Sequence, residues 1–491
     1  MKSSALRVLA VSGLALATAL TFAAVPSAAA PRRKPAAAAR TLPWVETAMA
    51  LRDKALTDPT AWNLVEEITT RFGPRPAGQD AEHRAALWGA DKLKAMGFTN
   101  VKLESFPLVP WVRISESGEI VGDFPQPLTV EMLGGSNSTP PGSIEADAVI
   151  FETLQDLKDA PPGSLTGKIA VVLQAIVRTQ DGSGYGFANA IRSQGPSIAK
   201  DKGAVAFVMR TLGTDDHRLV NTGSTKRTPD MIPAFAMSPP DAAQIRRLSH
   251  MGKVRLKLNG QSMIPPNGQS QNVVAEIRGR ERPDEVIVVG GHLDSWDRGT
   301  GAIDDAAGVA ITTAAVKLIA ELPIRPRRTI RVVWFGSEEL SQPDPTPGLQ
   351  GGRHYGEVHA AEAPMHIAVS ESDFGAGRVW ALRLPPGWQN GMFQREVMRV
   401  LAPIGVTFNP EAGDAEGDFG PMGPLGVPGW RFSQDGSKYF DVHHTPDDTL
   451  ERIDPRELNQ NVAAWAAILW MMADSDVDFR KPAPDYVKPA D

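Results

Sequence analysis

The 491-residue chain contains no cysteine. That removes disulfides, thiolate zinc sites and cysteine nucleophiles in one step, so any metal has to be held by His, Asp and Glu. An excess of positive charge is also lacking: the formal net charge is −6 and the pI about 5.9. Nothing in that balance provides the electrostatic footprint of a nucleic-acid or anionic-lipid partner. Beyond the N-terminus no apolar run is long enough to span a bilayer, and no internal repeat of solenoid period is present. What remains is 42% hydrophobic and 22% charged residues, the composition of an ordinary globular protein. The length predicts two or three domains rather than one.

The N-terminus has the pattern of an export signal. Lys2 and Arg7 supply a basic region, Val8–Val25 an apolar stretch and Ser27–Ala30 a run of small residues, the three parts of a cleavable leader. Residues 1–30 are expected to be a signal peptide. The competing reading is an uncleaved anchor, for which the apolar run is near the short limit. Residues 31–40, PRRKPAAAAR, are expected to be a linker. The mature chain is expected in the periplasm or outside the cell, with no stable membrane insertion.

The texture then changes twice. Thr60–Met96 carries helical apolar spacing, broken by Gly73-Pro74-Arg75-Pro76-Ala77-Gly78. Residues 41–107 are expected to be the first part of a catalytic domain. Between 108 and 270 short β-rich runs such as Ile169–Leu173 and Ala204–Met209 alternate with Pro- and Gly-rich turns. This reads as an inserted β-rich domain without an evident catalytic cluster. From 271 to 480 strands and helices alternate, with strands expected at Asn272–Ile277, Glu285–Val289, Thr329–Phe335 and His366–Ser370. Helices are expected at Gly308–Leu322, near Glu396–Leu401 and at Asn459–Met472. That alternation predicts an α/β layered architecture, followed by a tail over 481–491.

Four acidic or histidine-bearing clusters sit where these strands or loops end. Gly290–Gly308, GGHLDSWDRGTGAIDDAAG, places one histidine and four aspartates in a glycine-rich loop. Gly336-Ser337-Glu338-Glu339 follows TIRVVWF, Glu371-Ser372-Asp373-Phe374-Gly375 follows HIAVS, and His443-His444-Thr445-Pro446-Asp447-Asp448-Thr449 comes last. Singly, each is compatible with a polar turn, a solvated helix start or a chance His pair. Ligands in α/β sheets bind beyond the carboxyl ends of the strands, so the four clusters are placed to converge on one site. Two metals about 3.5–4 Å apart can clamp an attacking oxygen and a carbonyl. A glutamate beside them can then move the proton from water to the leaving amine.

These motifs, HLDSWD…GAIDDAAG, GSEE, ESDFG and HHTPDDT, resemble those of the co-catalytic di-zinc exopeptidases, and most of all the carboxypeptidase Q-like group. RFGPRPAGQD, LTGKIAVV, KGAVAFVMR and DPRELNQNVAAWAAILW extend the likeness over nearly the whole mature chain, and the insertion is similar to a protease-associated domain. The resemblance implies an α/β, mixed-sheet zinc exopeptidase domain that binds two zinc ions per chain. It implies that Asp304 bridges the metals, that His292 and Asp373 complete one, and that Glu339 and His444 complete the other. Glu338 would be the general acid/base and Asp294 the aspartate that orients the first histidine. Asp305 either supports the site or caps the helix that follows. Aminopeptidase relatives often have Tyr where this chain has His443, which either polarises the substrate carbonyl or packs. Two further features depart from the group, the TPDDT ending and the longer SQPDPTPGLQGGRHYG segment. Gly420–Trp430 and His354-Tyr355 either shape the cleft or serve turns and packing.

The reading is an exported di-zinc metallo-exopeptidase that hydrolyses dipeptides or short peptides through a water shared by the metals and a Glu base. A broad aminopeptidase with the same metal centre is the rival. A receptor-like binding protein on a peptidase fold is the non-enzyme alternative. The resemblance also implies a homodimer; no nucleic-acid partner is expected.

Overall fold

The computed structural model describes residues 42–487. The expected signal peptide, the linker and residues 488–491 of the tail lie outside them. The architecture is mixed α/β. Its centre is a five-stranded sheet in the order Thr99–Leu108, Gly268–Ile277, Arg328–Phe335, Arg282–His292, His366–Glu371. The first two pairings are antiparallel and the last two parallel.

Parallel strands covered on both faces are apolar on both, which is why EVIVVGGH and TIRVVWF read as continuous runs. Alternation still divides them. Ile287 and Val289 face one core, Val286 and Val288 the other, as a period of two requires. On the first face lie the helices Pro43–Ala55, Thr60–Phe72, Ala307–Ala320 and Pro455–Asp474. Ala307–Ala320 (AGVAITTAAVKLIA) has twelve buried residues of fourteen, the all-round apolar character of an internal helix. The second face is covered by the helix Gln350–Val358 and the turn Gly417–Leu425, with Tyr355, Phe419 and Met422 against the sheet.

An eight-stranded sheet is built from residues between Val112 and Met263. The chain leaves the central sheet at Leu108 and returns at Gly268, and these two residues are paired partners. Exit and re-entry are therefore side by side. A small sheet of Val379–Arg383, Thr407–Phe408 and Arg431–Gln434 completes the fold. The expected helix near Glu396–Leu401 begins earlier, at Met392. The helix Pro43–Ala55, opened by a proline at its first turn, was not foreseen. Among the described residues no helix is long and apolar enough to cross a membrane.

Candidate metal centre

The three parallel strands end at one edge of the sheet, and each delivers its cluster there. His292 closes its strand. Asp304 and Asp305 stand in the turn before the helix Ala307–Ala320, joined by a cis peptide bond. Glu338 and Glu339 follow Ser337, whose φ of 58° turns the chain. Asp373 lies two residues past its strand. His444, with φ 60°, follows the short helix Tyr439–Val442. Gly291 makes the packing possible, because a Cβ there would lie 2.4 Å from Asp305 Oδ2 and 2.7 Å from the Val309 nitrogen.

Asp304 divides the cluster. Its Oδ1 is 3.1 Å from His292 Nε2, which is 3.3 Å from Asp373 Oδ1. Its Oδ2 is 3.1 Å from His444 Nε2, which is 2.9 Å from Glu339 Oε2. The donor atoms of His292, Asp304 and Glu339 lie within 4.8 Å of one another, as do those of Asp304, His443 and His444. All five residues expected to hold metal are thus brought together. Asp304 Oδ2 and Glu339 Oε1 are buried without a hydrogen-bond partner. Buried carboxylate oxygens are normally satisfied, and imidazole with carboxylate and no thiolate is a donor set that suits zinc. The residues fit a divalent cation.

The supporting residues have distinct tasks. His292 Nδ1 donates to the backbone carbonyl of Asp294 at 2.9 Å, while the nearer Asp294 carboxylate oxygen is 3.7 Å away. That carboxylate instead accepts the Glu338 and Glu339 amides at 3.0 and 3.3 Å, fixing where the paired glutamates start. Asp305 does both things proposed for it. It accepts the Gly308 amide in the first turn of the helix and the His292 amide at the strand end. The His443 ring stacks on His444 with centroids 3.5 Å apart, its Nε2 3.5 Å from Asp304 Oδ2 and its buried Nδ1 unpartnered.

The electrostatics follow from burying so many acids together. Burial, with Glu339 and Asp373 adding and His292 opposing, pushes Glu338 well above the usual carboxylate range. Burial likewise takes Glu339 to about 7. Asp304 goes the other way: although burial opposes it, the His292 and His444 rings that face its two oxygens hold it well below its ordinary value. His444 rises to about 9 against burial, because Glu339 and Asp304 face it. Burial, with His444 adding, keeps His443 well below its usual value and hence neutral. Two carboxyls next to the centre, Glu371 and Asp418, are raised by burial and by Asp373, Asp418 to about 8.

Some participants were not foreseen. Arg75, within the loop that only interrupted a helical pattern, is fully buried. It donates to the carbonyls of Gly73, Leu293, Thr300 and Gly301 at 2.6–2.9 Å, pinning the His292–Asp304 loop. The β-rich segment, read as an insertion without an evident catalytic cluster, also reaches the centre. Asn221 Nδ2 donates to the His443 carbonyl at 2.5 Å, the Thr222 amide to the His444 carbonyl at 3.0 Å and Ser224 Oγ to the Glu339 carbonyl at 3.0 Å. No local pattern marks Asn-Thr-Gly-Ser as anything but a turn. Conversely, Tyr355 is fully buried on the far face of the sheet, bonded to Arg331 and His366, and its role is packing. His354 lies against Phe106.

Residues 272–469 match the model of peptidase family M28. Carboxypeptidase Q of Bos taurus is 32% identical over 412 residues, covering 83% of this chain and 84% of that protein. The crystal structure of a peptidase M28 precursor from Shewanella amazonensis SB2B is 41% identical with a TM-score of 0.84, over 90% of this chain and 99% of that one. BSAP, a zinc aminopeptidase from Bacillus subtilis, shares the fold at 19% identity and a TM-score of 0.60, covering 85% of this chain and 95% of its own.

Proposed function

Since the chain belongs to peptidase family M28 and is a zinc metallopeptidase, we propose that it is an exported di-zinc exopeptidase of dipeptides or short peptides. The observation that carries this reading is the division of Asp304. One carboxylate faces two donor pairs, His292 with Asp373 and His444 with Glu339, at 2.9–3.3 Å. In this reading each pair, with one Asp304 oxygen, would hold one zinc ion, and the bound ions supply Lewis acidity toward water and the scissile carbonyl.

The chain's own groups move the proton. Glu338 lines a cleft over the centre, and a carboxyl whose affinity for protons has been raised by burial is suited to general base and then general acid. It takes the proton from the attacking water, holds it while the tetrahedral species forms, and gives it to the amine as the C–N bond breaks. Its amide, bound by Asp294, sets its direction. His443, kept neutral beside His444, has one N–H to donate to the substrate carbonyl oxygen.

The aminopeptidase reading draws support from a second chamber of about 450 Å³ beside Asp373 and Phe374. Glu371, Glu416 and Asp181 line it together with Arg431, which pairs with Glu416, and the acids in excess of that pair suit a substrate ammonium. Export, a homodimer and a protease-associated identity for the inserted sheet belong to the same proposal; the N-terminal sequence pattern and the family likeness support them. Zinc counted on the purified chain, together with turnover of free, N-blocked and C-amidated dipeptides, tests the function. Glu338→Gln is expected to keep its zinc and lose about 10²–10⁴-fold in kcat. Near-normal turnover by that variant would remove Glu338 from the role.

A further inference from the structure

The cleft over the centre, about 460 Å³, has two walls. One carries the carboxylates and histidines already described. The other is the helix Ser183–Asp201 of the inserted segment, which presents Tyr185, Asn189 and Arg192. Arg192 is 8% exposed. Its Nη1 donates to the Thr222 carbonyl at 3.2 Å and its Nη2 to Tyr185 Oη at 2.5 Å, while its Nε is buried without a partner. The guanidinium passes so close to Gly223 that a Cβ there would lie 2.0 Å from Nη1. Tyr185 in turn meets the His443 ring edge-on at 5.3 Å, so Arg192 stands one side chain away from the expected carbonyl donor.

What separates Arg192 from the other buried arginines is its company. Arg113 is paired with Glu116 and Asp297, Arg328 with Glu285, Arg331 with Glu276 and Glu362. Arg75 and Arg227 spend their donors on four and three backbone carbonyls. Arg192 has two hydrogen bonds and, among the described residues, no carboxylate within 4.0 Å. A buried cation without a counter-charge is unfavourable unless something else supplies the anion, and a planar guanidinium with free donors is shaped for a carboxylate.

We propose that Arg192, steadied by Tyr185, binds the free α-carboxylate of the peptide substrate. The inserted domain, rather than the metal-binding domain, then makes the chain read a C-terminus. This rests on the peptidase function proposed above and names the end of the peptide that the cleft reads. A dipeptide has its carboxylate one residue past the scissile bond, which suits an anchor one side chain removed from His443. A substrate side-chain carboxylate has the same chemistry, so the test has to separate the two sources.

The experiment compares kcat/KM for three probes on the wild type, Arg192→Gln and Arg192→Lys, each checked for zinc content and melting temperature. The probes are a neutral dipeptide, its C-terminal amide and an amidated dipeptide ending in glutamate. The wild type is expected to favour the free dipeptide over its amide by about 100-fold, the scale of a lost charge-assisted pair. Arg192→Gln should bring that ratio close to one, chiefly through KM, and Arg192→Lys should recover part of it. A ratio that survives in Arg192→Gln while all rates fall together would overturn the assignment in favour of a structural arginine. Preference for the amidated glutamyl probe that vanishes in Arg192→Gln would overturn it in favour of a side-chain site. Calorimetric binding of the neutral dipeptide to Glu338→Gln protein, with and without Arg192→Gln, reads the same contact without turnover. A loss of about tenfold or more in affinity supports it and equal binding overturns it. A wild type that cleaves no peptide while binding still depends on Arg192 would sink the catalytic reading and leave the anchor standing.

Discussion

Two clusters of buried charge adjoin the central sheet, one on its second face and one at its carboxyl edge, and they are built on opposite plans. Behind the sheet, Arg331 donates to Glu276 at 2.8 Å and to Tyr355 Oη and Glu362 at 3.0 and 3.1 Å. His359 meets Glu104 at 3.1 Å, and His366 joins Tyr355 Oη to the Glu362 carbonyl. None of these side chains has a buried polar atom left unpartnered. At the carboxyl edge the same residue types leave oxygens of Asp304 and Glu339 and a nitrogen of His443 without partners. The first network is closed on itself and supplies its own cation. The second has acids in excess and needs one from outside. Buried charge of similar density is structural in one place and unfinished in the other, and the hydrogen-bond inventory tells them apart.

The contrast can be broken most completely at Asp304. Asp304→Ala is expected to lose both zinc ions and all measurable turnover, read by metal analysis of the purified chain, while folding persists. Retention of a full zinc complement would refute the shared carboxylate. Arg331→Met attacks the closed network. It strands Glu276 and Glu362 without their cation, at a cost of about 3–5 kcal/mol, seen as a lower urea midpoint with unchanged zinc per folded chain. Zinc loss in that variant would mean that the two clusters are not independent.

A smaller effect lies in the pH dependence. Burial lowers His366 to about 4 from an ordinary 6.5. Between those values the unfolded chain binds a proton that the folded chain does not, so stability is fully present above about pH 6.5 and falls as the pH drops toward 4. The shift corresponds to about 3 kcal/mol over the window. His366→Gln is expected to flatten that acid limb. An unchanged slope in denaturant melts at pH 4–7 would assign the loss to other groups.

The readability of the two clusters from sequence differs for the same physical reason. Strand runs such as EVIVVGGH and TIRVVWF announce themselves by apolar continuity, and the loops behind them by Asp, Glu and Gly where a turn alone needs fewer charges. The four clusters could therefore be located before the fold was known, and the resemblance to the di-zinc exopeptidases singled out His292, Asp304, Glu339, Asp373 and His444 within them. Arg331 looked like one polar residue in a strand, and Glu104 and His359 lie 255 positions apart, so no window contains their pairing. Arg192 and Asn221 are equally silent. One sits on an ordinary helix and the other in a turn, and only the docking of the inserted sheet aims them at the centre.

The bonds from Asn221, Thr222 and Ser224 to the carbonyls of His443, His444 and Glu339 also bear on timing. They join residues 115–222 positions apart, so they form only when the inserted segment is packed against the C-terminal part of the chain. The loops that carry His444 and Glu339 are therefore held in place only once the inserted segment has docked. Zinc uptake becomes a certificate of finished assembly: a half-folded chain has the ligands but nothing to hold their backbone still.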